Sequence, residues 1–156
     1  MNGDMNYRID LRRETIISDI KTGNLAHLLS QDQLLKEINF NRGFRLRSFL
    51  EGKITFIPTY KYDRGTDEFD SSEKRRSPAW CDRVLWRCND QERVEQLYYR
   101  RWELNVSDHR PVSSAFRISV KQVRHDARER IKAELLTRWE EREKELLRAA
   151  RKFYIE

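Results

Sequence analysis

The sequence has little cysteine, glycine or proline and no long apolar run. Its 156 residues include two cysteines, five glycines and three prolines. Cys81 and Cys88 have no second cysteine pair with which to complete a zinc site, and two thiols fit a reducing compartment. No apolar stretch approaches the roughly 20 residues of a membrane-spanning helix, and the first residues lack the apolar core of a signal peptide. We expect a cytoplasmic protein that contacts membranes only peripherally.

The charge is unbalanced toward the basic side. Lys and Arg number 32 against 26 Asp and Glu, which gives a net charge of +6. An aromatic content of 11% argues against intrinsic disorder. The basic excess favours phosphate-rich ligands, nucleic acid or an anionic membrane surface as partners. The alternative interpretation of the net charge is a basic surface that contacts only solvent.

The order of apolar and polar stretches predicts a layered α/β sandwich. Asn24 stands where an N-cap is expected, and Pro58 ends a β-rich run because it cannot donate to a ladder. Residues 63–77 form a polar loop. The expected helices are 11–20, 25–29 and 31–38, and the expected strands are 54–57, 83–87, 94–104 and 112–120.

The C-terminal stretch differs in kind from the rest. Residues 123–154 contain no glycine or proline, and their apolar residues recur at helical spacing. This predicts one long helix, which packs on the preceding domain or on a neighbour, or pairs with another helix in a coiled coil. The sequence therefore divides into a domain at 1–121 and a helical extension at 122–156.

Asp4 and Asn6 follow Gly3 and are two positions apart. In an extended segment their side chains would face the same side. A carboxylate beside an amide suits a site that holds a water molecule and a phosphoryl oxygen. The alternative is a turn in which the two side chains cap the backbone.

A second polar group consists of Asp82, Asp108 and His109. Asp82 lies between Trp80 and an apolar strand, so its carboxylate needs a partner. That partner is either an arginine or His109, whose imidazole an aspartate would keep charged and oriented. Asp108 and His109 occupy a sharp turn before Pro111, where a histidine is either structural or catalytic.

A third group is basic. A tyrosine hydroxyl with lysine and arginine side chains suits a phosphate group that does not react, and a solvated loop is the alternative. Its members are Tyr60, Lys61, Lys74 and Arg76.

Together these segments resemble the inositol-polyphosphate 5-phosphatase family of the endonuclease/exonuclease/phosphatase superfamily. The resemblance covers residues 3–120 and is similar to synaptojanin-type and fungal members. Its segments are GDMNYR at 3–8, FIPTYKYD at 56–63, SEKRR at 72–76, PAWCDR at 78–83 and SDHRPV at 107–112.

The resemblance implies a magnesium-dependent phosphohydrolase with a four-layer α/β sandwich, the endonuclease/exonuclease/phosphatase fold. This chain would be the C-terminal half of that sandwich, followed by the long C-terminal helix. The implied reaction removes the 5-phosphate of phosphoinositides such as phosphatidylinositol 4,5-bisphosphate, or of soluble inositol phosphates, through in-line attack by water.

The resemblance also implies residue roles. Asp4 resembles the residue that activates water, Asn6 the residue that positions it, and His109 the histidine at the scissile phosphate. Asp82 is similar to the carboxylate that orients this histidine, and Asp108 to the aspartate near the metal. The implied substrate-binding residues are Tyr60, Lys61, Lys74 and Arg76 at the 4-phosphate, with Arg8 and Arg83 bracing the site.

In this family a metal-binding glutamate, an asparagine and a further histidine belong to the first half of the domain. The 156 residues of this sequence do not include that half. We therefore expect this polypeptide to need the N-terminal half as a partner and not to hydrolyse phosphate at a useful rate alone. The alternative is a non-catalytic phosphoinositide-binding or scaffolding protein. A nuclease is disfavoured because Tyr7, Arg8 and the basic group suit an inositol ring, so we expect no nucleic-acid partner.

Overall fold

The computed structural model describes residues 1–155, which form two compact units separated after Ser119. The first unit mixes short helices with two small antiparallel sheets, and the second is one helix. The helices of the first unit are α1 (Arg13–Thr22), α2 (Leu25–Ser30) and α3 (Gln33–Phe40), and its strands are β1 (Asn2–Asp4), β2 (Leu50–Glu51), β3 (Asp82–Trp86), β4 (Val94–Arg101) and β5 (Val112–Ile118).

The three predicted helices exist, each with shifted ends. Helix α1 ends at Gly23, whose φ of 73° is the left-handed conformation that glycine adopts without steric cost. Asn24 stands at the N-cap of α2, but its side chain makes no capping hydrogen bond, contrary to expectation. The side chain of Asp32 instead caps α3 by accepting from the amide of Leu35 at 3.0 Å. This cap moves the start of α3 to Gln33.

Strand β3 is central in its sheet, with β1 and β2 antiparallel on either side. The register pairs Asp4 with Asp82, so the polar end of β1 lies beside the polar start of β3. Strands β4 and β5 form a separate antiparallel pair with an irregularity between Gln96 and Tyr98. The predictions at 83–87, 94–104 and 112–120 were right in type, and each observed strand ends earlier than predicted.

The predicted strand at 54–57 is wrong, because this segment has no ladder partner. Its apolar side chains pack in the core instead: Ile54 is buried, and Phe56 packs edge-on against Tyr99 at 5.2 Å. The Phe56 carbonyl accepts a hydrogen bond from the indole of Trp80 at 2.9 Å. Burial thus explains the β-rich composition without a sheet.

The core lies between α1, α2 and β3. Its buried residues are Ile9, Ile16, Leu28, Ile54, Ala79, Trp80, Cys81 and Tyr99. Because this cluster includes residues 79–81, β3 begins directly after the core cluster, and Asp82 is its first, half-buried residue.

The second unit is helix α4 (His125–Ile155). It agrees with the predicted helix at 123–154, and its large apolar side chains between residues 131 and 154, among them Trp139 and Phe153, are exposed. Packing on a domain and coiled-coil pairing both stay predictions. Among residues 1–155, no helix is both long and apolar enough to cross a membrane.

Candidate active site

The centre of the site is a contact between Asp82 and His109. The Oδ2 atom of Asp82 lies 2.8 Å from Nδ1 of His109 and accepts a hydrogen bond from the Thr59 hydroxyl at 3.1 Å. The hydrogen bond between the His109 ring and Asp82 raises the pKa of His109, while burial lowers it. The charges of Asp4 and Asp108 add to the increase. Of the two partners considered for Asp82, the structure gives it His109.

Asp4 and Asn6 approach this pair from β1. The amide of Met5 donates to the Cys81 carbonyl at 2.7 Å, which holds the segment against the start of β3. Asn6 has a φ of 56°, and its amide donates to Oδ1 of Asp4 at 2.9 Å. The expected extended geometry is therefore wrong, because the two residues form the turn considered as its alternative. One oxygen of Asp4 caps the backbone while the carboxylate stays exposed.

Arg8 and Tyr60 complete a stack over the histidine. The Arg8 guanidinium donates to Oδ1 of Asn6 at 3.0 Å and lies 4.5 Å from the centroid of the Tyr60 ring. The Tyr60 ring is 4.6 Å from the imidazole of His109. The structure thus brings Asn6, Arg8, Tyr60 and His109 together, and Asp82 and Asp4 adjoin them.

Asp108 lies at the edge of this group. Its carboxylate is 3.9 Å from Arg64 and accepts from the Ser107 hydroxyl at 3.3 Å. Carboxylate and amide oxygens are the ligands that magnesium prefers. Within residues 1–155, however, no three His, Cys, Asp or Glu side chains come together as a metal site. The described residues therefore supply at most part of the coordination shell of a magnesium ion.

Arg83 does not belong to the substrate-facing set, which corrects that expectation. Its side chain is 0% exposed and donates to Glu51 at 2.7 Å and to Asp32 at 2.9 Å. Burial lowers the pKa of Arg83, but the hydrogen bonds and charges of the two carboxylates more than offset this, so the guanidinium stays charged. Arg83 braces β3 from inside.

One buried carboxylate, that of Asp70, contacts Lys61 and the backbone of the polar loop. Lys61 has its ammonium 3.9 Å from Asp70, and the amide of Arg76 donates to the same carboxylate at 2.7 Å. The side chains of Lys74 and Arg76 are exposed. The structure therefore brings Lys61 and the Arg76 backbone together, and it shows no contact that draws Lys74 to them.

Three residues of this arrangement had not been predicted. Asp32 carries a signal that could have found it, since an aspartate before an apolar helical run is a common N-cap. Thr59 and Asp70 carry no such local signal, because their partners are distant in sequence. Cys81 lies nearby but is buried, which raises its pKa to about 12. Its thiol stays protonated at neutral pH and is a poor nucleophile.

Residues 1–115 match endonuclease/exonuclease/phosphatase family 2. The chain belongs to this family. Within it, the chain is similar to a probable inositol polyphosphate 5-phosphatase of Schizosaccharomyces pombe, with 42% identity over 155 residues, covering 99% of this chain and 13% of that protein. It is 39% identical over 160 residues to synaptojanin-1 of Homo sapiens, covering 86% of this chain and 10% of that protein. The chain thus spans a small part of the relatives it matches.

Solved structures agree with this family fold. The inositol polyphosphate 5-phosphatase domain of SPsynaptojanin, in complex with inositol (1,4)-bisphosphate and calcium ion, matches with a TM-score of 0.71 and 35% identity, covering 96% of this chain and 42% of that one. The ferrous NO complex of Cimex nitrophorin matches with a TM-score of 0.65 and 30% identity, covering 76% of this chain and 41% of that one. A phosphatase domain and a nitrophorin share this fold, so the fold alone does not decide function. The side chains of the site decide it.

Proposed function

We propose that this chain is part of an inositol-polyphosphate 5-phosphatase that hydrolyses the 5-phosphate of phosphatidylinositol 4,5-bisphosphate-type substrates. The observation that carries the proposal is the contact of 2.8 Å between Asp82 and His109, beside Asp4, Asn6 and Arg8. An imidazole held and kept charged by a carboxylate can stabilise negative charge on a phosphoryl group. The inositol (1,4)-bisphosphate in the SPsynaptojanin domain supports an inositol phosphate as the ligand.

The chemistry assigns each side chain one task. Because Nδ1 of His109 faces Asp82, its Nε2 is the nitrogen that donates to a phosphoryl oxygen. Asp4 accepts the proton of the attacking water, and the side-chain amide of Asn6 orients that water and the phosphate. The water oxygen forms a bond to phosphorus while the bond to the 5-oxygen of inositol breaks, and the departing oxygen takes up a proton.

Magnesium is the cofactor that we infer, with Asp108 as a candidate ligand. A calcium ion in the SPsynaptojanin domain supports a divalent cation. Because residues 1–155 lack a three-ligand cluster, further ligands have to come from the part of such a domain that this chain does not match. We accordingly infer that the chain alone is inactive and requires that N-terminal half.

We also infer a cytoplasmic protein in peripheral contact with anionic membranes. Its net charge of +6 supports attraction to a negatively charged leaflet. The proposed lipid substrate would lie in that leaflet.

Inorganic phosphate release tests the proposal. The chain alone and a chimera that places it behind the unmatched part of the SPsynaptojanin domain would be incubated with phosphatidylinositol 4,5-bisphosphate and magnesium. We expect release by the chimera only, and loss of that release in its His109→Ala variant. Release by the isolated chain at the chimera's rate would refute the requirement for the other half, and a chimera that is folded but inactive would refute the phosphatase.

The second candidate is a non-catalytic phosphoinositide-binding protein. The lack of a three-ligand cluster among the described residues favours it. Calorimetric binding of inositol (1,4)-bisphosphate by a chimera that releases no phosphate would support this candidate over the enzyme.

A further inference from the structure

Arg13, at the start of α1, ties down the polar loop between residues 63 and 77. One terminal nitrogen of its guanidinium donates to the carbonyl of Arg76 at 2.9 Å, and the other donates to the carbonyl of Asp70 at 2.9 Å. A planar guanidinium can make both bonds at once, whereas a lysine ammonium has no such fork. Arg13 therefore fixes the distance between the two ends of the segment that carries Lys74.

Asp70 organises the same segment from inside. Its side chain is 1% exposed and accepts hydrogen bonds from the amides of Ser72 at 3.2 Å and Arg76 at 2.7 Å. Its own amide donates to the carbonyl of Lys61 at 2.9 Å, and its Oδ1 lies 3.9 Å from the Lys61 ammonium. Burial alone would raise the pKa of Asp70, but these hydrogen bonds lower it overall, so the carboxylate stays ionised.

The two anchors hold the backbone of a segment that carries several cationic side chains. Residues 70–78 have no helix or ladder to hold them, and like charges on neighbouring lysine and arginine side chains repel each other. Asp70 compensates part of this charge, and Arg13 closes the segment around it. Lys61 and Arg76 thereby belong to one structured unit although 15 positions separate them in the sequence.

We infer that Arg13 and Asp70 are positioning residues that set the preference for an inositol ligand with a second phosphate. They do so by holding the Lys61 ammonium and the backbone of Arg76 in one arrangement, and neither needs to touch the ligand. The choice of ligand rests on the proposed function, whereas the tethering of the loop does not.

Calorimetric titration of the full chain with two ligands tests the preference. Inositol (1,4)-bisphosphate carries a second phosphate, and inositol 1-monophosphate lacks it. We expect Arg13→Met to weaken binding of the bisphosphate about tenfold, a typical effect of losing charge-assisted hydrogen bonds, and to leave the monophosphate affinity unchanged. Arg12→Met is the matched control, since it removes the same charge from the neighbouring, exposed position.

A purely structural role would predict a different pattern. The inference is overturned if Arg13→Met weakens the binding of both ligands by the same factor. It is also overturned if Arg12→Met changes the ratio of the two affinities as much as Arg13→Met does. Arg13→Lys should restore only part of the preference, because its ammonium cannot span both carbonyls. Full restoration by lysine would show that charge, and not the fork, matters.

Amide hydrogen exchange separates this inference from the proposed function. The amides of Ser72 and Arg76 should exchange faster in Arg13→Met than in the parent chain, and should not change in Arg12→Met. Unchanged exchange at both amides would overturn the tethering whatever the ligands do. A third outcome is possible: the two amides exchange faster in Arg13→Met, but the parent chain binds the bisphosphate and the monophosphate with equal affinity. This result would support the tethering of the loop by Arg13 and refute a site for the second phosphate.

Discussion

Oδ2 of Asp82 has two partners, Thr59 and His109, and Asp82 is the first residue of β3. Its position is set by the buried residues before it, Ala79 to Cys81. The orientation of the imidazole therefore depends on the packing of the whole first unit. At this scale the structure gives the His109 imidazole one carboxylate partner, and the hydrogen bond to that partner raises the pKa of His109.

Asp82→Asn should lower the pKa of His109, because it removes the hydrogen bond that raises this pKa most. In the parent chain the folded pKa lies above the unfolded value of about 6.5. The contribution of His109 to the free energy of unfolding is then fully present below that unfolded value and is lost as pH rises through the folded pKa. NMR titration of the imidazole and urea unfolding across this range measure both effects.

The exposed Asp90, which pairs with Arg93, provides the control for this comparison. Asp90→Asn should leave the His109 titration and the pH dependence of unfolding as they are. An unchanged His109 pKa in Asp82→Asn would contradict the assignment of the pair.

Arg83→Met should destabilise the first unit strongly. The substitution leaves the carboxylates of Asp32 and Glu51 buried without their partner, and breaking such a pair typically costs about 3–5 kcal/mol. Arg93→Met breaks a partly exposed pair and should cost at most about 1 kcal/mol. Urea unfolding of the two variants measures the difference, and equal losses would refute a bracing role for Arg83.

Elements with a strong local signal could be predicted from the sequence. Apolar spacing located α1, α3 and α4, and alternation located β3. The segment 54–57 has the composition of a strand but packs in the core, since local composition does not reveal a ladder partner. The ends of α1 and α3 were missed because they depend on Gly23 and on the cap of Asp32.

Gly23→Ala should cost about 1 kcal/mol of unfolding free energy, since alanine is strained at a φ of 73°. Nothing lies within 4 Å of a Cβ placed there, so the cost is conformational and not a clash. Gly43→Ala is the control, because no positive φ occurs there and the nearest atom to its Cβ is 3.5 Å away. Thermal unfolding compares the two variants, and equal stabilities would contradict the role of the left-handed cap.

At the scale of the molecule, short motifs predicted candidate site residues, and long-range contacts decided which of them lie together. The Asp82–His109 pair could be proposed from two local signals. Asp82 precedes an apolar strand, where its carboxylate needs a partner, and His109 lies in a sharp turn before Pro111. Arg83 could not be placed from the sequence, because its partner Asp32 is 51 positions away. For Asp4 and Asn6 the sequence left an extended segment and a turn open, and the structure has the turn, in which the backbone amide of Asn6 donates to Asp4.

The product formed from inositol 1,4,5-trisphosphate tests the central proposal most directly. The chimera with the unmatched part of the SPsynaptojanin domain would be incubated with this substrate and magnesium, and the products separated by ion-exchange chromatography. The proposed site predicts inositol (1,4)-bisphosphate with one equivalent of phosphate, and a rate lower by a factor of about 10²–10⁴ in His109→Ala. A different bisphosphate isomer, or a rate that does not change in His109→Ala, would contradict it.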